Sequence, residues 1–381
     1  MMKTMKKAVA FILTVTLMLT GISAFAELNT EDLRLLDTYY TLATNYISMA
    51  DYDKAAEYVD KCFEYCNENT GKDLMADLYL KRGCIETIHG DTEAALADLD
   101  KALENNAELA DAYLIKTEIY TDSLDFAQAT ENLQKYIDLT GDNDLYATLS
   151  ELYELNGEAD KAADSYTKYI KSRDITENEA VYTEAVYKMQ IGLNDEALAA
   201  FETLKEDETY GEAAQYNIAV CLMNKGENEA AAEIFIAGIQ DNGWADKYEG
   251  TYYNVGLCYM LNGDYEKAEE NFTASVEKNE YPDESNQNIG ICKMSREDYE
   301  GAIEAFMKLE KEDTALEPAV AFYRACCYVS VGNNEAALKD FTYCIDNGYE
   351  LAQSYYQRSA IYGAMGEIEL QTADLEASLA N

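Results

Sequence analysis

One spacing runs through this chain and limits what it can fold into. A small residue recurs ten times, and seven of the nine intervals between neighbours are 33 to 35 residues long. The ten positions are Ala43, Gly83, Thr117, Ser150, Ala185, Ala219, Gly256, Gly290, Ala325 and Ser359. A period of this length is typical of proteins built from repeated units, each of which packs on the next.

Three further positions recur at fixed distances from each small residue. Gly256, for example, is followed by Gly263 after seven residues, Ala268 after 12 and Phe272 after 16. A glycine at the first of these distances ends a helix and permits a tight turn. The pattern therefore predicts two helices per repeat. The small residue of the first helix lets the second approach, and the bulky residue of the second fills the gap.

Each predicted hairpin keeps an apolar surface that only a neighbouring hairpin can cover. The sequence resembles the tetratricopeptide repeat family over about residues 36–381, and the copy from Gly256 to Phe272 is the fullest match. The resemblance implies an all-α fold, namely a right-handed α-solenoid of about ten tetratricopeptide-like helical hairpins. We expect residues 27–381 to form a single superhelical domain.

Several repeats depart from the family pattern. Glu86, Lys188 and Lys293 occupy a position where an aromatic residue is usual, and Glu297 replaces a turn glycine. One junction is lengthened beside Trp244, the only tryptophan. We expect Trp244 to fill a hydrophobic gap there, with a ligand-binding aromatic as the alternative.

The first 26 residues have the three parts of a secretory leader. A lysine-rich start precedes an apolar run over residues 8–19, and Ala24 and Ala26 occupy the positions that a signal peptidase reads. We therefore predict cleavage before Glu27 and a secreted or extracytoplasmic, cell-envelope protein of bacterial type. The alternative is an uncleaved helix that anchors a structural envelope protein in the membrane.

The chain is strongly acidic. It has 73 Asp and Glu against 29 Lys and Arg, a net charge of −44, which becomes −47 without the leader's three lysines. Such a surface repels nucleic acid and anionic lipid and attracts cations. No nucleic-acid partner is expected. A protein that captures cationic peptides or divalent cations is an alternative function.

The resemblance implies that a peptide ligand lies in a concave groove lined by the first helices. The groove positions lie three residues before, one after and four after each small residue. Aromatic residues and methionines fill many of these positions in the later repeats: Tyr182, Met189, Tyr216, Met223, Tyr253, Met260, Met294, Phe322 and Tyr356. These side chains either form an apolar binding strip, which methionine suits, or pack between neighbouring hairpins.

The early repeats place carboxylates on the corresponding surface, at Asp77, Asp111, Glu118, Asp144, Glu151 and Glu154. We therefore expect a ligand with a basic segment next to an apolar one. Some members of the family, of the chaperone type, bind a peptide's terminal carboxylate in the groove with Lys and Asn side chains. Because no Asn occupies the position after the small residue, such a clamp is not expected.

Residues for catalysis are scarce. His89 is the only histidine, and it precedes a turn glycine, so triads and His-rich zinc sites lack their ligands. Most of the nine cysteines fall at core positions and are expected to be free thiols. We predict a non-catalytic protein without a metal or cofactor, which binds a protein or peptide.

Leu375 and Leu379 of the last helix are expected to form an exposed edge or a dimer contact.

Overall fold

The computed structural model describes residues 30–68, 70–310 and 315–381, and these form helices and no strand. The predicted leader lies outside the described residues. The chain divides into two compact units, the first ending at Leu193 and the second beginning at Asn194. The all-α class and the paired helices are confirmed, and the single superhelical domain stays a prediction.

The first unit contains four helical hairpins followed by one helix. Its helices are α1 (Thr30–Ser48), α2 (Tyr52–Glu64), α3 (Lys72–His89), α4 (Thr92–Asn105), α5 (Ala110–Asp122), α6 (Phe126–Thr140), α7 (Tyr146–Leu155), α8 (Ala159–Lys171) and α9 (Glu177–Gln190). A short 3₁₀ helix, Asn143–Leu145, precedes α7. Hairpins 1 to 4 pair these helices in order, from α1 with α2 to α7 with α8.

The second unit contains one helix followed by five hairpins, which are hairpins 6 to 10. Its helices are α10 (Asn194–Leu204), α11 (Gly211–Asn224), α12 (Asn228–Asn242), α13 (Trp244–Lys247), α14 (Thr251–Leu261), α15 (Tyr265–Glu277), α16 (Pro282–Ser295), α17 (Tyr299–Met307), α18 (Pro318–Ser330), α19 (Asn334–Asp346), α20 (Leu351–Met365) and α21 (Ile368–Ala380). The four-residue helix α13 is an insertion between hairpins 6 and 7.

The contact predicted between small and bulky residues is present. All ten small residues are buried. A Cβ added to Gly256 would lie 2.7 Å from the Phe272 ring, and one added to Gly290 would lie 2.4 Å from the Phe306 ring. Because there is no room for a side chain, the two helices of each of these hairpins touch where the sequence predicts.

The ends of the helices follow from local chemistry. Gly263 has a φ of +79°, a conformation that glycine adopts without a steric penalty. Asp264 then caps α15, since its carboxylate accepts the backbone N–H of Lys267. The same Asp or Asn cap begins five other second helices, at Asp51, Asp91, Asp125, Asp298 and Asn333.

Two smaller predictions are also confirmed, and a third stays open. All nine cysteines are free, and burial raises the pKa of the Cys258 and Cys292 thiols to about 11. Trp244 is only 1% exposed and fills the gap beside α13. Leu379 is 91% exposed on the last helix, which leaves an apolar edge in the described part of the chain; a dimer contact there stays a prediction.

Candidate functional site

The groove positions predicted from the sequence form one face of each first helix, here called the first-helix face. In the second unit this face carries Tyr216, Met223, Tyr253, Met260, Met294, Phe322 and Tyr356. All are partly buried except Tyr356, which is 54% exposed. These side chains therefore lie between the closed core and solvent, where they can both pack and bind.

Tyr216 and Tyr253 of this face pack on their own hairpin and on the junction that follows. The Tyr216 ring meets Phe235 edge-on at 5.3 Å between centroids and stacks on Tyr248 at 4.4 Å. Tyr253 makes tilted ring contacts with Phe272 at 5.6 Å and with Tyr281 at 5.3 Å. The packing alternative is thus supported for these aromatic positions, although each ring keeps one part exposed.

Asparagines fix two of these tyrosines, and the sequence analysis missed them. Asn254 of α14 donates through Nδ2 to the Tyr216 hydroxyl at 3.2 Å. Asn288 of α16 donates in the same way to the Tyr253 hydroxyl at 3.3 Å. Both asparagines stand two residues before a small residue, so their shared register was a signal available in the sequence. The bonds hold each tyrosine against the next first helix.

The methionines of this face recur at one register position. Met223, Met260 and Met294 each lie four residues after a small residue, and each is half-buried at the edge of a separate core cluster. Aliphatic residues one position after the small residue lie beside them, for example Leu257 beside Met260. The result is a repeated apolar surface with flexible side chains, which can adapt to apolar groups of different shapes.

The first unit presents charged groups on its first-helix face, and one of the predicted acids is already neutralised. Asp77 accepts a hydrogen bond from Lys81 Nζ at 2.6 Å, and both residues are buried. Lys81 also lies over the Tyr40 ring, 5.1 Å from its centroid. Burial and the neighbouring Asp77 carboxylate raise the pKa of Tyr40. Lys81, which sequence reasoning missed, stands four residues after Asp77 on the same face.

The other predicted acids differ in exposure. Glu118 is only 7% exposed, whereas Asp111 is half-buried, and burial raises the pKa of its carboxyl group. Asp144 is exposed and pairs with Arg173 at 3.1 Å. Glu151 and Glu154 are exposed. The exposure of the acidic residues in hairpins 3 and 4 therefore ranges from the buried Glu118 to the exposed Asp144, Glu151 and Glu154.

Helix α9 belongs to the first unit and carries the remaining predicted residues, Tyr182 and Met189. Both are half-buried. Its Lys188 occupies the position where an aromatic residue is usual in the family. Helix α9 thus adds apolar groups to a unit whose earlier first helices carry mostly acids.

The described residues contain no cluster of three or more His, Cys, Asp or Glu placed to hold a metal ion. His89 is exposed at the end of α3 and lies 3.3 Å from Asp53.

In residues 30–68, 70–310 and 315–381, no helix combines the length and apolarity needed to cross a membrane.

Comparison with known proteins identifies the repeats. Sequence profiles described as tetratricopeptide repeat match residues 182–246, 36–69 and 250–279. Together with the hairpin register, these matches show that the chain contains tetratricopeptide repeats. Proteins with these repeats serve in general as scaffolds for protein interactions, and the fold suggests that class of role.

A curated relative, tetratricopeptide repeat protein 21B of Xenopus laevis, is 23% identical over 207 residues, which are 53% of this chain and 15% of the relative. The chain thus spans only a small part of that relative's length. Among solved structures, a tetratricopeptide repeat protein from Parabacteroides merdae is 15% identical with a TM-score of 0.41, over 71% of this chain and 98% of that one. In the APC/C hetero-tetramer Cut9-Hcn1, the matching chain is 16% identical with a TM-score of 0.40, over 91% of this chain and 73% of that one.

Proposed function

We propose that this protein is an exported, non-catalytic scaffold that binds a protein or peptide along its first-helix faces. The observation that carries the proposal is the repeated half-buried surface of Met223, Met260 and Met294 in the second unit. These side chains recur at one register position in three successive hairpins. They are neither enclosed in the core nor fully exposed, which suits a surface that closes over an apolar ligand segment.

Charge suggests the chemistry of a second ligand segment. The first-helix face of the first unit carries the accessible carboxylates of Asp111, Glu151 and Glu154, and the whole chain has a net charge of −44. Carboxylates at these positions favour lysine or arginine side chains and accelerate the approach of cationic segments. The preferred ligand is therefore a peptide with one basic segment and one apolar segment.

The test uses a peptide with a lysine-rich half and a leucine-rich half, titrated against the full chain by calorimetry. Met223→Gln and Asp111→Asn should each weaken binding by roughly five- to thirtyfold, the loss of about 1–2 kcal/mol of contact energy. Matched controls make the same changes on second helices, Met307→Gln on α17 and Asp160→Asn on α8, where both residues are exposed.

A second peptide, in which every lysine is replaced by glutamate, should bind far more weakly to the wild-type chain. Unchanged affinity in Met223→Gln and Asp111→Asn, with thermal melting intact, would exclude the first-helix faces as the binding surface. Equal binding of the glutamate peptide would exclude the basic segment but leave the apolar one.

Export is proposed from the sequence of residues 1–26 alone. Its test is mass spectrometry of the N-terminus of the protein isolated from its native source. A mature chain that begins at Glu27 is expected, and a chain that retains its first 26 residues in the membrane fraction would instead identify an anchored envelope protein.

A further inference from the structure

The turns of the first unit carry a row of exposed apolar side chains on a surface here called the turn edge. The turn edge comprises the end of the first helix, the turn and the start of the second helix in hairpins 1 to 4, over residues 48–54, 87–93, 121–127 and 155–161. Each of these described segments has one exposed large apolar residue: Met49 at 62%, Ile88 at 38%, Leu124 at 72% and Leu155 at 57%.

Packing places these four residues at the same end of neighbouring hairpins. Ile47, Ile85 and Ile119, a few residues earlier in the chain, are buried in one shared core cluster. Tyr120 and Leu152 join hairpins 3 and 4 in a second cluster. Since packed helices lie about 8–10 Å apart, neighbouring members of the row are separated by about 10 Å.

The turn edge is also strongly acidic. Its four segments hold eight Asp and Glu against two Lys, a net charge of −6 over 28 residues with His89 neutral. That is nearly twice the average charge density of the chain, which has −44 over 381 residues. Lys54 is paired with the cap residue Asp51. Lys161 is paired with Glu158, which holds the same place in hairpin 4. The edge therefore attracts a basic partner and repels a second copy of this acidic chain or an anionic lipid surface.

The spacing of the row indicates the conformation of the partner. Residues seven apart on an α-helix share one face and lie about 10.5 Å apart along its axis, which matches the row. Side chains on one face of a β-strand lie about 6.6 or 13 Å apart instead. A helix of roughly 20 residues spans the four hairpins.

We propose that the turn edge docks a basic amphipathic α-helix of another protein, with an apolar side chain at every seventh position and lysine or arginine beside it. The apolar side chains of that helix cover the four residues of the row, and its cations face the carboxylates of the turns. The site is separate from the first-helix faces, because Asp111 lies at the other end of α5 from Leu124. It therefore stands whether or not those faces bind a peptide.

Leu124 is the member of the row whose backbone is strained. It has a φ of +61° at the turn position that Gly90 and Gly157 occupy in neighbouring hairpins. This left-handed conformation is unfavourable for a residue with a Cβ, and the exposed side chain gains little from packing. Leu124→Gly should therefore raise the melting temperature while it weakens binding of the helix by roughly tenfold or more.

The probe is a fluorescein-labelled peptide of about 22 residues, with leucine at every seventh position and lysine and alanine elsewhere. It is titrated against the full chain by fluorescence anisotropy. A peptide of the same composition, with its leucines spread around the helix, should bind at least about tenfold more weakly. Leu124→Ser and Leu155→Ser should each weaken binding of the first peptide by a similar factor. Leu139→Ser is the matched control, since it makes the same change at an exposed leucine at the far end of α6.

Equal affinity of wild type and Leu124→Ser would overturn the proposal, as would equal binding of the two peptides or the lack of saturable binding. A lower melting temperature of Leu124→Gly would show that Leu124 supports the fold, and would also overturn it. Met223→Gln and Asp111→Asn should leave this binding unchanged. A loss of affinity in those two variants instead would place the peptide on the first-helix faces and not on the turn edge.

Discussion

Arg324 and Asp340 join the two helices of hairpin 9 through a buried bidentate ion pair. Arg324 Nε donates to Asp340 Oδ2 at 2.7 Å, and Nη2 donates to Oδ1 at 2.9 Å. The two residues are 16 positions apart, the same separation as between the small and bulky core residues. The same pair occurs in hairpins 2 and 10, between Arg82 and Asp98 and between Arg358 and Asp374.

Removing the arginine alone from this ion pair should destabilise the protein. Arg324→Met leaves the 4%-exposed Asp340 carboxylate without its cation, and we expect the free energy of unfolding to fall by about 3–5 kcal/mol. The double variant with Asp340→Leu should recover most of that loss, because no buried charge then remains unpaired. Urea unfolding followed by Trp244 fluorescence measures both, since Trp244 belongs to the same unit.

The control is an exposed ion pair of that unit. Lys205 and Glu202 lie 3.2 Å apart with nearly half of each side chain exposed, so Lys205→Ala should cost less than about 1 kcal/mol. A similar loss from Lys205→Ala and Arg324→Met would show that burial adds nothing to the Arg324 pair. Arg324 also contacts Glu310 at 2.6 Å, but that carboxylate is 49% exposed and water can replace the arginine there.

The contact between Phe272 and Gly256 leads to a second prediction. Phe272→Ala removes a fully buried ring and should reduce the free energy of unfolding by about 3–5 kcal/mol. Leu261→Ala, at a 63%-exposed position of the preceding helix, should change it by less than about 0.5 kcal/mol. Denaturant unfolding compares the two, and an equal effect of both substitutions would mean that the helix register is wrong.

The sequence predicted best those positions where steric contact allows only one arrangement of the two helices. A glycine opposite a phenylalanine, such as Gly290 opposite Phe306, has meaning only if the two helices touch. Turn glycines are equally easy to predict. Gly226 and Gly332 take φ values of +81° and +78°, which are unfavourable for residues with a Cβ. The hairpins and their order therefore follow from spacing alone.

The charged part of the candidate site was predicted less well. Asp77 was expected to be available to a ligand, yet it is paired with Lys81. Spacing places both on one helix face, but whether a long lysine side chain turns toward the carboxylate depends on the Tyr40 ring from the preceding hairpin. The Asn254 bond to Tyr216 likewise depends on how neighbouring hairpins are offset, which the repeat period does not specify.

A missing turn glycine in hairpin 8 gives a third prediction. Glu297 adopts a φ of +64° at the position where the other repeats mostly have glycine. A left-handed conformation costs a residue with a Cβ about 1–2 kcal/mol, so Glu297→Gly should raise the free energy of unfolding by about 1 kcal/mol. Glu300→Gly is the control, because inside α17 the same change should lower it by about 0.5–1 kcal/mol. Thermal melts would contradict the assignment if both variants melted lower than wild type.

Glu86 gives the last prediction, on pH. It occupies a position that is usually aromatic, and burial together with the nearby Asp98 carboxylate raises its pKa from 4.5 to about 7. Asp91 and Asp60 add to this effect, and Arg82 opposes it. The protonated form is favoured by folding, so its contribution to stability is complete below pH 4.5 and is lost as the pH rises through about 7.

Glu86→Gln stays neutral at every pH and should therefore match wild type near pH 4. At pH 8 it should exceed wild type by roughly 1–3 kcal/mol in free energy of unfolding. Glu93→Gln, at an exposed position of α4, removes the same charge and corrects for the general repulsion within an acidic chain. Urea unfolding across this pH range is the measurement. A gain that Glu93→Gln reproduces in full would trace the effect to net charge and not to the environment of Glu86, whose Oε2 is buried without a hydrogen-bond partner.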